Sequence, residues 1–194
     1  MIEKKAEALL PTKHGEFRII AFTAENNGHE YAVLVKGEVQ EKENILVRVH
    51  SGCITGDVFS SLNCDCHEQL AKSMELIEKA GNGILIYDKE QEGRGIGFVN
   101  KIIAYKLKQN GLDTVESAHK LGFAGDLRTY KTSAEILKQL GVKSIALLTN
   151  NPDKIKQLEK FGITVSERVP LIIPPNGHNK KYLETKKAKM GHLF

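Results

Sequence analysis

The chain has 194 residues, a formal net charge of +4 and a hydrophobic content of 41%, which suits one well-buried domain or two small lobes on a shared core. No apolar run approaches the ~20 residues of a membrane span, and the opening Met1-Ile2-Glu3-Lys4-Lys5-Ala6 lacks the apolar stretch of a secretory signal, so neither a membrane nor export is expected and the cytoplasm is the expected compartment. Much of the basic excess lies in Lys180, Lys181, Lys186, Lys187 and Lys189, a run with no aromatic stacking platform that reads as a solvated face and not as a nucleic-acid surface.

In chain order, Phe17 to Phe22, Tyr31 to Lys36 and Ile45 to His50 are short, rich in β-formers and separated by Gly and Asn turns, so the first fifty residues read as antiparallel strands. From Cys66 the period changes: Leu70, Met74 and Ile77 recur at helical spacing, and Gly81 and Gly83 stand where that helix should stop. Ile84 to Tyr87 reads as a buried strand, Phe98 to Asn110, Thr132 to Leu140 and Asp153 to Phe161 as helices, and Ser144 to Thr149 as a second core strand. The expected fold is α/β (α+β), an N-terminal antiparallel β-rich portion followed by alternating helices and strands. Residues 1–194 show no repeat, low-complexity tract or linker, and a single domain is expected.

The three cysteines, Cys53, Cys64 and Cys66, fall within fourteen residues. Thiolates are preferred ligands of Zn²⁺, and three protein ligands with an open fourth position characterise a working zinc. Free buried cysteines are the plain alternative. A disulfide is disfavoured, because Cys64 and Cys66 are one residue apart and an odd count leaves a thiol over. Glu92-Gly-Arg-Gly-Ile-Gly97 sets three alternating glycines after a strand and at a helix mouth, where backbone N–H groups, the helix dipole and Arg94 favour an anion; a tight structural turn explains the motif about as well. Thr149-Asn-Asn-Pro-Asp-Lys154 ends a strand and opens a helix, again a place where ligands sit, with Lys154 opposing the helix dipole unless an anion is present. Singly, Tyr105 reads as a packed ring, Asp126 with Arg128 as a surface ion pair, and His50 and His67 as hydrogen-bonded bystanders of the cysteines.

Together, Arg48-Val-His-Ser, Cys53-x-Thr-Gly-Asp57, Cys64-Asp-Cys66, Gln91 to Gly97, Asn100-Lys101, Asp113-Thr-Val-Glu116, Leu121-Gly-Phe123, Thr149 to Pro152, Tyr182-Leu-x-Thr-Lys186 and Lys189-Met-Gly-His192 resemble GTP cyclohydrolase II along nearly the whole chain. The resemblance implies opening of the GTP imidazole ring with release of formate and pyrophosphate, the first committed step of riboflavin synthesis. The length fits the stand-alone form, since the fused partner that makes dihydroxybutanone phosphate needs about another domain. The resemblance implies that Cys53, Cys64 and Cys66 bind one zinc per subunit, and that Mg²⁺ accompanies the triphosphate. It further implies Tyr105 in proton transfer, Asp126 as proton acceptor and Arg128 as nucleophile on the α-phosphate. A guanidinium with pKa above ~12 suits an electrostatic clamp equally. By the same match Arg48, Val49, His50, Ser51, Gly52, Gln69, Glu92, Gly93, Arg94, Thr114, Thr149 and Lys154 surround GTP, with Glu92 suited to a guanine edge and Arg94 with Lys154 to the triphosphate. A homodimer is implied by the resemblance alone.

Three departures surround the cysteines. Gly52 replaces the family's Glu, Asn63 and His67 replace Arg and Gly, and the run from Tyr87 to Gly93 is one residue longer than usual. They keep two alternatives beside the cyclohydrolase: a paralogue that stops at the formamidopyrimidine or takes another purine nucleotide, and a non-catalytic nucleotide-binding protein whose zinc is closed by His67.

Overall fold

The structure is a computed structural model that describes residues 1–112, 114–123 and 126–193. Its centre is a seven-stranded sheet of β1 (Ile2–Thr12), β2 (Gly15–Ala24), β3 (Glu30–Lys36), β4 (Ile45–Ser51), β5 (Gly83–Asp88), β6 (Ile145–Leu148) and β7 (Val165–Val169), in the order β1-β2-β3-β5-β4-β6-β7. The α/β architecture is the expected one. β4 is a correction: it was read with the antiparallel half, yet it runs parallel to both β5 and β6. The reason is the crossover through α1 (Cys66–Ala80), because a helix between two strands returns the chain in the same direction and closes a βαβ unit. β5 joins the two modes, antiparallel to β3 on one side and parallel to β4 on the other.

The central strands are buried along nearly their whole length, with successive side chains entering opposite clusters. Val47, Val49, Ile84 and Ile86 pack into a cluster with Ile136 and Leu137 of α4 (Lys131–Gln139) and Leu158 of α5 (Pro152–Lys160). Leu85 turns the other way, onto Phe17, Leu34 and Ile77 of α1. Helices therefore cover both faces of the parallel part, as its two apolar faces require. α1 stops at Gly81, which takes φ +74° and caps the helix with its N–H on the Glu78 carbonyl. α5 starts where the Asn151 side chain accepts from Asp153 N at 3.0 Å, with Pro152 at the first helical position.

α2 (Gly97–Gln109), α3 (Thr114–Lys120) and α6 (Lys180–Met190) complete the described α-helices, beside short helical turns at Ile54–Val58 and Lys89–Arg94. β1, β7, α3 and α6 have no counterpart in the sequence reading. β1 is exposed along most of its length and bears Glu3, Lys4, Lys5 and Glu7, the charged dressing of a protected sheet edge and not an alternating core strand. The carboxyl ends of the parallel strands β4, β5 and β6 open on one side of the sheet, and the segments following them converge there.

Candidate active site

Cys53 stands just beyond β4 and before a π-type turn (Ile54–Val58), Cys64 in the following loop and Cys66 at the first residue of α1, so a strand end and a helix start bring the three together. Their sulfur atoms lie within 4.8 Å of one another, with Cys53 and Cys64 3.8 Å apart. Gly56 makes the space: a Cβ there would sit 2.9 Å from Cys64 Sγ, 2.9 Å from Cys66 Cβ and 3.2 Å from Cys53 Sγ. Two groups counter the thiolate charge, Gly56 N at 3.4 Å and Lys101 Nζ at 3.0 Å from Cys53 Sγ. Hydrogen bonds from the Cys64 and Cys66 thiols, together with Lys101, hold Cys53 far below the usual thiol range, while its partners are pushed up, Cys64 to about 11. A set of three thiolates beside a buried cation is a donor set that fits zinc. His67 stands apart, its Nδ1 3.4 Å from the Asp57 carbonyl, and among the described residues the metal-competent group is the three cysteines alone.

Asp57 organises the floor beneath them. Its buried carboxylate accepts from Cys53 N at 2.9 Å, from the Tyr87 hydroxyl at 2.9 Å and from His50 Nε2 at 3.1 Å. Burial lowers the His50 pKa against the opposing pull of Asp57. With Nε2 committed to that carboxylate, His50 Nδ1 is buried without a protein partner, and so is Arg48 Nε. Orphaned buried polar atoms in a cleft wall are positions a ligand or water satisfies.

The cleft beside the cysteines is lined by Arg48, Arg94, Lys101, Lys108, Arg128, Lys154 and Lys186, seven cations, against one acid, Glu92. Arg48 is held by the Leu148 carbonyl at 3.0 Å and Gln69 Oε1 at 2.6 Å. Lys154 is buried, donates to the Val49 carbonyl at 2.7 Å and lies 5.0 Å from the Tyr130 ring centroid. Burial and the neighbouring Arg48 and Arg128 push its pKa well below the usual lysine range. Arg94 occupies the left-handed region at φ +67° between two glycines, a strained conformation for a side-chain-bearing residue that here sits in the cleft wall.

Asp126 and Arg128 form more than a surface pair. Arg128 Nε donates to Asp126 Oδ1 at 2.8 Å, Nη2 donates to Oδ2, and Nη1 reaches Ser51 Oγ at 3.2 Å. Burial works against the charge on each, yet the fork prevails, raising Arg128 above and holding Asp126 below its ordinary pKa. Arg128 lines the cleft, while Asp126 spends both oxygens orienting it. Tyr105, on α2, is 3.2 Å from Thr55 Oγ1, and burial pushes its pKa up to about 12.

Other expected residues are placed as follows. Ser51 donates to Gln91 Oε1 at 2.6 Å, Thr149 Oγ1 accepts from Asn151 N at 3.0 Å, and both line the cleft with Gln69 and Gly93. Val49 sends its side chain into the core and offers only its carbonyl. Glu92 is taken up by Ile54 N at 2.6 Å, Gly93 N at 3.0 Å and Lys101 Nζ at 2.6 Å, so its carboxylate ties the cysteine loop to the glycine loop. Two of the glycine-loop amides are likewise occupied, Gly93 N by Glu92 and Gly95 N by the Gln91 and Glu92 carbonyls, and the Arg94 side chain is the loop's cationic contribution to the cleft wall. The Thr114 side chain lies outside the described residues. A side chain at position 52 has no room, because a Cβ would meet Lys89 Cα at 2.9 Å and the Asp88 carbonyl at 3.0 Å. The backbone that fills this space belongs to the longer run after Tyr87.

Lys101, Asp57, Asp65 and Lys186 fall within the segments that carry the resemblance but receive no role from the sequence; the spacing of four between Lys101 and Tyr105 is a local hint that both share a helix face.

The chain resembles known proteins over its full length. It is 53% identical over 194 residues to the riboflavin biosynthesis protein RibBA of Aquifex aeolicus and 50% identical over 195 aligned positions to RibBA of Bacillus subtilis. Each match covers 100% of this chain and 48% or 49% of the relative, so the chain spans about half the length of the curated relatives it matches. The crystal structure of RibBX, a two-domain 3,4-dihydroxy-2-butanone 4-phosphate synthase from A. baumannii, superposes with a TM-score of 0.50 at 20% identity over 87% of this chain and 40% of that one, a likeness of fold alone. The family profile described as GTP cyclohydrolase II matches residues 3–170, which contain the cysteine cluster, the glycine loop and the Asp126–Arg128 fork, and the chain belongs to that family.

Proposed function

We propose that this chain is a GTP cyclohydrolase II that hydrolytically opens the imidazole ring of GTP and releases formate and pyrophosphate. The product is then 2,5-diamino-6-(5-phosphoribosylamino)pyrimidin-4-one, the first committed intermediate of riboflavin biosynthesis. The observation that carries this reading is the juxtaposition in one cleft of a three-cysteine cluster and seven lysine and arginine side chains against a single, already neutralised carboxylate. Such a wall suits a polyanion, and such a cluster suits hydrolysis.

Cys53, Cys64 and Cys66 would hold the zinc, which supplies Lewis acidity and activated water near neutral pH. Lys101 offsets the thiolate charge at Cys53, and Glu92 fixes Lys101 and the Ile54 backbone around it. Tyr105, with its pKa pushed up to about 12, is a protonated phenol at neutral pH and able to donate to a ring nitrogen as it develops charge. Arg94 and Lys154 would hold the triphosphate, with Arg48 in the same cleft wall. Arg128 remains a cation with its fork fixed by Asp126, which favours a clamp on the charge developing as pyrophosphate leaves over a nucleophilic guanidine. Mg²⁺ on the triphosphate, a homodimeric assembly, a cytoplasmic setting and action as one domain over residues 1–194 belong to the same proposal, on family membership. No helix among the described residues is long and apolar enough to cross a membrane.

The test is mass spectrometry of the products after incubating zinc-loaded protein with GTP and Mg²⁺, with enzymatic assays for formate and pyrophosphate. The diaminopyrimidine monophosphate with both co-products is expected. A product that keeps the formyl carbon would point to a paralogue that stops halfway, and unchanged GTP in a sample containing zinc would overturn the reading.

A further inference from the structure

The family profile ends at residue 170, yet Tyr182, Lys186 and His192 line the cleft from beyond it. The segment that carries them is tied down at both ends. Before α6, buried Asn179 exchanges hydrogen bonds with Asn176, and its Nδ2 reaches the Cys64 carbonyl at 3.5 Å. After it, Gly191 turns the chain at φ +63° and Leu193 N donates to the Asn150 carbonyl at 2.9 Å, with Asn150 itself clasping Leu171 through both its amide groups. α6 thus spans from the cysteine loop to the end of β6, the two sides of the cleft.

On this helix Tyr182 and Lys186 are four apart and share a face. Two ammonium groups lie over the Tyr182 ring, Lys108 Nζ at 5.2 Å and Lys186 Nζ at 4.5 Å from its centroid. Lys186 is turned inward with its side chain 13% exposed, unlike Lys180 and Lys187, which are exposed. Its Nζ is 3.4 Å from Asp65 Oδ1. The other oxygen of Asp65 accepts from Gln69 Nε2 at 2.5 Å, and Gln69 Oε1 accepts from Arg48 at 2.6 Å. One carboxylate and one amide therefore orient two cations of the cleft, Lys186 and Arg48. Lys186 also donates to the Tyr182 hydroxyl, but the 3.4 Å contact to Asp65 is longer than the ~2.7–2.9 Å of a full charge-assisted bond and an ammonium has three donors, so Lys186 keeps capacity for an incoming anion.

We propose that α6 forms a working wall of the site and that Lys186 is a further substrate-binding residue, which holds the polyphosphate of the nucleotide in the arrangement set by Asp65 and Gln69. The inference rests on the GTP reading for the nature of the ligand. It corrects the sequence reading of the basic run, in which every lysine belonged to a solvated face.

The experiment is calorimetric titration of GTP, guanosine and inorganic tripolyphosphate into the full chain and its Lys186→Met, Lys186→Arg and Lys187→Met variants, with bound zinc measured in each. Lys186→Met is expected to weaken GTP and tripolyphosphate about tenfold or more, the effect of losing a hydrogen bond between charged groups, and to leave guanosine and zinc content unchanged. Lys186→Arg should recover most of the loss, and Lys187→Met, with the same change of charge on the exposed face, should match the unaltered chain. Equal GTP affinity in Lys186→Met, an equal loss for guanosine, or an equal loss in Lys187→Met would each overturn the proposal. An unaltered chain that ignores GTP but binds tripolyphosphate through Lys186 would retain the anion site and refute the nucleotide reading; one that binds none of the three would refute both.

Discussion

Replacing Lys101 by methionine tests whether a buried ion pair joins the cysteine loop to the glycine loop. Lys101 Nζ lies 2.6 Å from Glu92 Oε1, with the two side chains 10% and 7% exposed, and 3.0 Å from Cys53 Sγ. The other oxygen of Glu92 accepts from Ile54 N at 2.6 Å. At an effective dielectric of ~20 the direct attraction across that gap is about 6 kcal/mol, most of which desolvation offsets. Removing one partner alone, however, leaves the other charge buried, which costs about 3–5 kcal/mol. Methionine keeps the stem's volume, so the loss reports charge and not a cavity. Glu92→Gln should cost a similar amount, because an amide then faces the ammonium, while one acceptor remains for Ile54 N. The double variant removes both charges and is expected to fall short of the summed single losses by ~1.5 kcal/mol or more, since the two groups are in contact. The assay is urea unfolding of all four proteins at one pH and one fixed free zinc concentration. Additivity within ~0.5 kcal/mol, or a Lys101→Met loss below ~1 kcal/mol, would refute the reasoning.

Three further outcomes are expected. Gly56→Ala drives a methyl between the sulfur atoms, and because zinc tolerates only ~0.2 Å of error in its bonds, zinc affinity should fall at least ~10-fold with the fold retained; chelator competition alongside circular dichroism checks this, and unchanged affinity would show that the loop yields. Lys154, held well below its ordinary pKa by burial and by Arg48 and Arg128, should see that pKa rise when a polyanion arrives, so GTP titrations repeated from neutral to alkaline pH should show proton uptake, read as an enthalpy that varies with buffer ionisation heat, in a window below the ordinary lysine range, and Lys154→Met should abolish that variation. Burial raises Asp88 to about 6, above its unfolded value of ~3.9, so its carboxylate costs nothing below ~3.9, costs progressively more up to about 6, and carries a constant penalty of about 2–3 kcal/mol beyond that. Asp88→Asn, which keeps the acceptor for Glu90 N, should therefore stabilise the chain at pH 7.5 and far less at pH 4; an equal gain at both would contradict it.

Much of the site's chemistry was legible in the amino-acid order, because the donors are local: fourteen residues carry all three thiols, and their bonding capacity is a property of sulfur. Helix α1 and strands β2, β3, β5 and β6 were legible too, since apolar spacing and the following glycines set period and boundaries. The partnering of charges was not. Glu92 has the groups to read a guanine edge, yet Ile54 N and Lys101 from other segments, with the neighbouring Gly93 N, donate to its carboxylate. Asp126 reads by itself as half of a surface ion pair and by resemblance as a proton acceptor; the structure adds that both its oxygens accept from the Arg128 fork, whose remaining nitrogen reaches Ser51. Lys186 reads as one more solvated lysine until α6 packs across the cleft and brings it to Asp65, 121 residues earlier in the chain.

The same division applies at Gly52 and His67. Sequence alone shows that the family's carboxylate and glycine have been exchanged there; the tertiary structure decides what the exchange means, by bringing the Asp88–Lys89 backbone against one and setting the other outside the cysteine cluster. Residue type fixes which bonds a group is able to make, whereas the crossover that runs β4 parallel to β5 and β6 determines which groups meet at their common end, and that meeting depends on contacts too distant in the chain for any local pattern to encode.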